Sequence, residues 1–414
     1  MRPADSPFPT LDLMQQAVLR SIDDGLSGAV LHLGDRDRVV AEHAYGHQRQ
    51  WDRTERMLVP ELMRPDTMFD LASLTKMFST VLALHRLVDV RTLSIDDPVA
   101  RYLPGFDTPD KRSIRLRDLL GHNSGLPSGF HFYDPARAGA LFSQDRALTL
   151  RLLPQVPLIA PPRTATLYSD LNFVALGAVI EQVTGERQDD FVASRLYAPM
   201  GLRRTGYRPL ARGFAKGDCV ATERCGNTRD GRVSFPHIRT STLQGEVHDE
   251  VAYYSMGQVS GHAGLYSTAS ELGRICRLLL NGGRSGDFTL CAPETVALFR
   301  ETFNLDGSYA LGWQLPSMAT TQLYGLILPQ LERPGQVVAH TGWTGQCAVL
   351  DFQRGRYLLL LTNRKHSPVI ALPQGQLNTF EADLTVAAKY GNVVDLYYRG
   401  LLLEQEAGPG TPAR

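Results

Sequence analysis

Three short patterns in the 414-residue sequence place side chains that can make and break covalent bonds. Ser73-Leu74-Thr75-Lys76 sets a hydroxyl and an amine three residues apart, on one face of a helix. A serine hydroxyl is a weak nucleophile at neutral pH and needs a base beside it. A lysine can be that base if burial lowers its pKa, and a helix dipole beginning under the serine favours a developing oxyanion. The residues around Lys76 are almost wholly apolar, an expensive setting for an unused charge. Tyr168-Ser169-Asp170 comes just before a second apolar segment, and a tyrosine facing a lysine can relay a proton. His340-Thr341-Gly342-Trp343-Thr344-Gly345 lies between two strand-like runs, where glycines let a substrate reach a strand edge whose N–H groups bind an oxyanion. Each pattern also has a plain structural reading: a lysine snorkelling from a helix, Asp170 as a helix N-cap, and a glycine-rich turn.

These patterns need elements to hold them. Thr10–Ile22 has apolar residues at helical spacing, and Gly28–Leu33 with Val39–Tyr45 reads as a β-hairpin. Ser73–Leu87 reads as a long buried helix. Residues 95–250 are proline-rich, with short helical stretches at Arg115–Leu120, Gln144–Leu153 and Leu171–Val183. Strand-like runs return at Tyr309–Leu315, Gln336–His340, Gln346–Phe352 and Arg356–Thr362, followed by an amphipathic helix over Leu377–Gln405 that contains Gly391. Thr268-Ala269-Ser270-Glu271 reads as a capping box opening a helix to Leu280. The order predicts an α+β fold. An antiparallel sheet is built from both chain ends (residues 1–95 and 251–414) and flanked by helices, with a helical, loop-rich insertion over 96–250.

Composition narrows the chemistry. Lys+Arg and Asp+Glu both number 43, giving no net charge and no basic stripe for nucleic acid. No apolar run approaches the ~20 residues that span a bilayer, and the first residues carry no secretory leader pattern, so a cytoplasmic location is expected. Five scattered cysteines fit a reducing compartment, and Cys347 reads as a core residue. No nucleotide-binding glycine motif and no G-x-S-x-G elbow occurs. His248, Asp249 and His262 can be assembled on paper into a metal site, but no ligand-spaced motif supports one, so neither metal nor cofactor is expected. The expected partner is a small-molecule substrate.

The order and spacing of the three patterns resemble the serine β-lactamase and penicillin-binding-protein superfamily. The nearest likeness is to its class C β-lactamase-related branch, near DD-peptidases and family VIII carboxylesterases. The likeness extends to Met68–Lys76, Leu119–Pro127, Tyr168–Gly185, Gly245–Glu250, Gly261–Leu272 and Leu361–Arg364. It implies a β-lactamase/transpeptidase-like fold and a serine hydrolase working through an acyl-enzyme on small esters, amides or D-amino-acid-type peptides. It further implies Ser73 as nucleophile, Lys76 as its base and Tyr168 as the proton relay. The backbone N–H groups of Ser73 and Trp343 would form the oxyanion hole, with Asp170, His340, Thr341 and Gly342 lining the substrate site. Asp170 stands where many members have Asn, and His340 where the lactamases usually have Lys. A histidine is mostly neutral at pH 7 and anchors a carboxylate weakly, so weak or no β-lactamase activity is expected. The alternative is a catalytically silent binding protein for cell-wall fragments on the same fold.

Overall fold

The computed structural model describes residues 6–331, 335–370 and 378–407. Six strands form one antiparallel sheet: β1 Gly28–Asp35, β2 Val39–Asp52, β3 Glu55–Leu62, β4 Val337–Gly342, β5 Gln346–Asp351 and β6 Arg356–Thr362. Their order is β4-β5-β6-β1-β2-β3, so the two chain ends meet where β1 pairs with β6, from Ala29 opposite Thr362 to Asp35 opposite Arg356.

The central strands are apolar on both faces because both faces are covered. Leu359 and Leu361 of β6 pack into one core with Val30, Ala348 and Leu350. Leu358 and Leu360, pointing the other way, join Leu31, Val349 and the helices α1 Leu11–Asp23 and, at the far end of the chain, Tyr390–Ala407. The first core runs on without a break into the helices between the sheet halves. These include α2 Leu82–Asp89, which continues a widened π-type turn over Lys76–Val81, and α3 Asp170–Thr184. α3 is buried along ten consecutive residues, Leu171–Ile180, which explains its unbroken apolar sequence.

Several sequence expectations need correction. β2 runs on to Asp52 and pairs with β3, a strand whose Pro60 and charged residues hide it. Tyr309–Leu315 is not a sheet strand. It folds back on itself, with Ala310 N–H bonded to Trp313 O and Leu315 N–H to Ser308 O, and pairs with the sheet through a single bridge from Gln314 to Ala339 among the described residues. The C-terminal helix begins at Tyr390, after a short strand Thr379–Phe380 and a 3₁₀ turn, and Leu377 lies outside the described residues. Gly391 does not interrupt that helix but sits in its first turn against Thr321. Thr268 does cap the helix Ala269–Leu280 through the Glu271 N–H. The Glu271 carboxylate, however, turns away to accept from the N–H groups of Arg203 and Arg204 and the Thr205 hydroxyl. All five cysteines are buried and unpaired, and Cys347 lies in the second core. Among the described residues no helix is long and apolar enough to cross a membrane.

Two backbone approaches set where the functional segments lie. Gly261 packs on α3 so closely that a Cβ there would sit 2.1 Å from Phe173 O and 3.1 Å from Gly177 N. Gly342, on the edge strand β4, approaches the turn before Ser73, where a Cβ would sit 2.6 Å from Leu71 O. Replacing Gly261 with Ala should therefore destabilise the protein by about 1–3 kcal/mol through overpacking. Thermal or denaturant unfolding checks this, and a variant as stable as wild type would contradict the backbone-on-backbone contact.

Candidate active site

Ser73 lies in the turn just before the helix that runs into the widened segment Lys76–Val81, reached through a constrained backbone. Ala72 takes a left-handed conformation (φ 45°), and its N–H is held by the buried carboxylate of Asp70 at 2.9 Å. Asp70 also takes the His248 N–H, and its own carbonyl accepts from the Thr344 hydroxyl at 2.9 Å. One side chain thus fixes the serine turn, and the same residue ties it to the loop after β4. A strained residue beside a nucleophile is the pattern expected where geometry is imposed by surroundings.

Around Ser73 Oγ the structure brings together the residues that the three patterns separate in sequence. Lys76 Nζ donates to Oγ at 2.9 Å, and Tyr168 OH lies 2.8 Å from the same oxygen. Lys76 is 0% exposed and reaches Asp170 Oδ1 at 2.7 Å and the His262 carbonyl at 3.3 Å. Burial alone would push the Lys76 ammonium down, but the Asp170 carboxylate and the Tyr168 oxygen outweigh it and hold the group above the ordinary lysine value. Burial raises the Tyr168 phenol, against the opposing pull of Lys76. Asp170 does not cap α3. It is the helix's first residue, Ser169 stands at the cap position, and the carboxylate turns into the cleft with a third of its side chain exposed.

The N–H groups of Ser73 and Trp343 find no acceptor among the described residues. His340 is buried, and burial together with Lys76 drives its pKa down to about 3, so it is neutral. A neutral imidazole gives a substrate carboxylate no charge to bind, a stronger departure from a lysine than residue type alone suggests. Thr341 and Gly342 line the same side of the cleft. The cleft opens to two cavities, about 980 and 780 Å³, which share Ser73, Tyr168 and Trp343 in their walls.

Several contributors were given no role by the sequence reading. His122 packs against Tyr168 with ring centres 4.7 Å apart and planes tilted by 39°, and its Nδ1 accepts the Ser169 N–H at 3.0 Å. It is the histidine of the Leu119–Pro127 segment, and its position beneath Tyr168 is fixed only by the fold. His262 bonds Asp249 at 2.9 Å through Nε2 and Ser260 at 2.8 Å through Nδ1. His248 turns instead to Glu223, so the paper grouping with Asp249 and His262 is not the one formed. Possible ligand atoms of Asp170, Asp249 and His262 do lie within 4.8 Å of one another, but each is engaged by Lys76 or by its neighbour.

The fold is β-lactamase/transpeptidase-like, an antiparallel sheet with helices on both faces and a serine-bearing cleft at its edge strand. The β-lactamase family model matches residues 13–378. The chain is 40% identical over 395 residues to the N-acetylmuramyl-L-alanine amidase of Bacillus subtilis, covering 94% of this chain and 88% of that protein. It is 39% identical over 398 residues to the "Putative D-alanyl-D-alanine carboxypeptidase" of Escherichia coli K12, covering 94% and 90%. A penicillin-binding-protein homologue from Caulobacter crescentus superposes with a TM-score of 0.67 over 94% of this chain and 97% of that one, at 20% identity. The D-amino acid amidase of Ochrobactrum anthropi gives 0.64 over 95% and 99%, at 19%. These two structures share the fold. The chain belongs to the β-lactamase family, whose matched members here are named as hydrolases.

The Lys76–Asp170 pair generates a pH prediction. Replacing Asp170 with Asn removes the nearby negative charge that holds the lysine protonated, so the lysine pKa falls. If the unprotonated amine is the working form, the alkaline-rising limb of kcat/KM should move to lower pH. Measuring the profile on a neutral ester decides it, and an unmoved limb would refute Asp170 as the residue that sets it.

Proposed function

We propose that the protein is a serine amidase that cleaves the amide joining the lactyl group of an N-acetylmuramyl sugar to an L-alanyl peptide. The observation that carries this reading is the hydrogen-bonded set Ser73–Lys76–Tyr168, open on both sides to large cavities. The near-full-length similarity to a protein named for that substrate supports the class. The neutral His340 supports it over a carboxypeptidase reading, because a D-alanyl-D-alanine end carries a carboxylate one residue past the scissile bond.

In this mechanism Lys76 works in its unprotonated form, which the Asp170 carboxylate at 2.7 Å makes scarcer at neutral pH. Ser73 Oγ attacks the amide carbonyl carbon and its proton passes to Lys76. The carbonyl oxygen becomes an oxyanion held by the Ser73 and Trp343 N–H groups. Tyr168 donates its proton to the departing nitrogen and is reprotonated from Lys76. The C–N bond breaks, leaving the lactyl ester on Ser73. Water, activated by the reverse route, then frees the muramic acid carboxylate and restores the serine.

Three outcomes test it. Ser73→Ala should abolish labelling by a fluorophosphonate in intact-mass spectra and lower turnover by at least ~10³-fold. Near wild-type hydrolysis by this variant would sink the assignment. With an N-acetylmuramyl-L-alanyl peptide, mass spectrometry should show N-acetylmuramic acid plus free peptide. Release of terminal D-alanine from an acetylated D-alanyl-D-alanine peptide, with the muramyl peptide untouched, would favour the carboxypeptidase instead. Penicillins should acylate Ser73 slowly, since nothing cationic at position 340 meets their carboxylate, and rapid turnover would contradict that.

A further inference from the structure

Two parts of the cleft have no role in the bond-breaking steps: the second nitrogen of His340 and the side chain of Trp343. His340 Nδ1 lies 2.8 Å from the carbonyl oxygen of Thr341, which can only accept, so Nδ1 carries the ring hydrogen. In a neutral ring Nε2 is then a bare lone pair. The residue is 2% exposed, Nε2 has no partner among the described residues, and the side chain lines the larger cavity. A buried acceptor without a donor is costly, and a ligand that brings a donor relieves that cost. A carboxylate brings only further lone pairs, so this position repels it.

Trp343 follows two residues after Thr341 and is 45% exposed at the junction of both cavities. The Lys365 ammonium, itself held by Asp383 at 2.6 Å, braces the indole from 4.1 Å over the ring. An exposed, braced indole in a cleft walled by Gln314, Gln322 and Asn392 suits a ligand that is apolar on its face and polar at its edge. A pyranose has that shape. Its C–H face carries slight positive charge and packs on the negative face of the indole, while hydroxyl and acetamido groups point sideways.

We propose that the Trp343 indole and His340 Nε2 together form a subsite for an N-acetylated pyranose, which stacks on the indole and donates one hydroxyl or amide hydrogen to Nε2. The proposal rests on the amidase reading and names how the sugar half of that substrate is recognised. It assigns His340 a specificity role opposite in sign to a carboxylate anchor.

The test compares kcat/KM for an N-acetylmuramyl-L-alanyl peptide with that for the same peptide carrying a sugar-free (R)-lactoyl group. Wild type should favour the sugar-bearing substrate by at least about tenfold, one hydrogen bond and one stacking contact being sufficient. His340→Leu and Trp343→Ala should each cut that ratio at least about fivefold, while His340→Gln, which restores an acceptor, keeps more of it than Leu. As a second measurement on the Ser73→Ala protein, methyl N-acetyl-β-glucosaminide should change tryptophan fluorescence saturably. A ratio near one in wild type, equal losses on both substrates in all three variants, or no saturable fluorescence change would overturn the subsite and leave the amidase reading standing. Failure of wild type to hydrolyse either substrate would instead overturn the amidase reading.

Discussion

The ammonium of Lys76 has no access to water, and that constraint organises the rest of the site. An unpaired charge in such a place is unstable by several kcal/mol. Four groups answer it: the Asp170 carboxylate, the Ser73 hydroxyl, the Tyr168 oxygen and the His262 carbonyl. They come from three stretches of chain, with Tyr168 and Asp170 on one of them, and each stretch is held by something definite. α3 brings Asp170 and is packed on Gly261. Gly261 in turn sets the next residue's carbonyl beside the lysine, with its own carbonyl bonded to Thr80 at 2.7 Å. Asp70 holds both the serine turn and the loop that carries Trp343. A change in any of these contacts moves the lysine's environment, and so its proton affinity.

The histidines near the serine follow the same logic with the opposite result. His122 and His340 are buried close to the Lys76 charge, and both are held neutral, mainly by burial and then by that charge. His122 spends its Nδ1 lone pair on the Ser169 N–H and stands under Tyr168 as a rigid support. His340 spends its Nδ1 hydrogen on Thr341. The two rings therefore adopt opposite tautomers a few ångströms from one tyrosine, each fixed by the single backbone group it meets.

Much of this was legible in the sequence because it depends on near-neighbour patterns. The Ser73–Lys76 spacing needs only a helix, and strands β4 to β6 announce themselves by apolar runs with polar turns between. What was not legible depends on distant chain. Asp170 before an apolar helix reads locally as a cap, and only the family resemblance points it into the cleft, since nothing local says that a lysine 94 positions earlier waits opposite. β3 carries Pro60 and two glutamates and reads as a loop, because it is an edge strand with its outer side in water. The segment Tyr309–Leu315 has strand residues but closes into a tight turn, and only β4 beside it shows why it stays short. The tautomer of His340 is set by a carbonyl one residue away, a direction no residue type encodes.

The two departures from the commoner family pattern act in one direction. Asp170 in place of Asn adds a negative charge, and His340, neutral in place of Lys, removes a positive one. The cleft is therefore two charge units more negative than its lysine-bearing, asparagine-bearing counterpart would be. In a partly buried cleft a unit charge at about 4 Å is worth about 4 kcal/mol at an effective dielectric of 20, so such a shift decides which substrates bind. Anionic groups beside the scissile bond are disfavoured by both changes at once. In the proposed mechanism the oxyanion itself is spared, because it forms against two N–H dipoles and because the lysine that gathers the serine proton becomes positive as the oxygen becomes negative. On the proposed reading such a site keeps the chemistry of acyl transfer while giving up the carboxylate anchor, and a neutral, hydrogen-donating group large enough to fill the cleft takes the anchor's place.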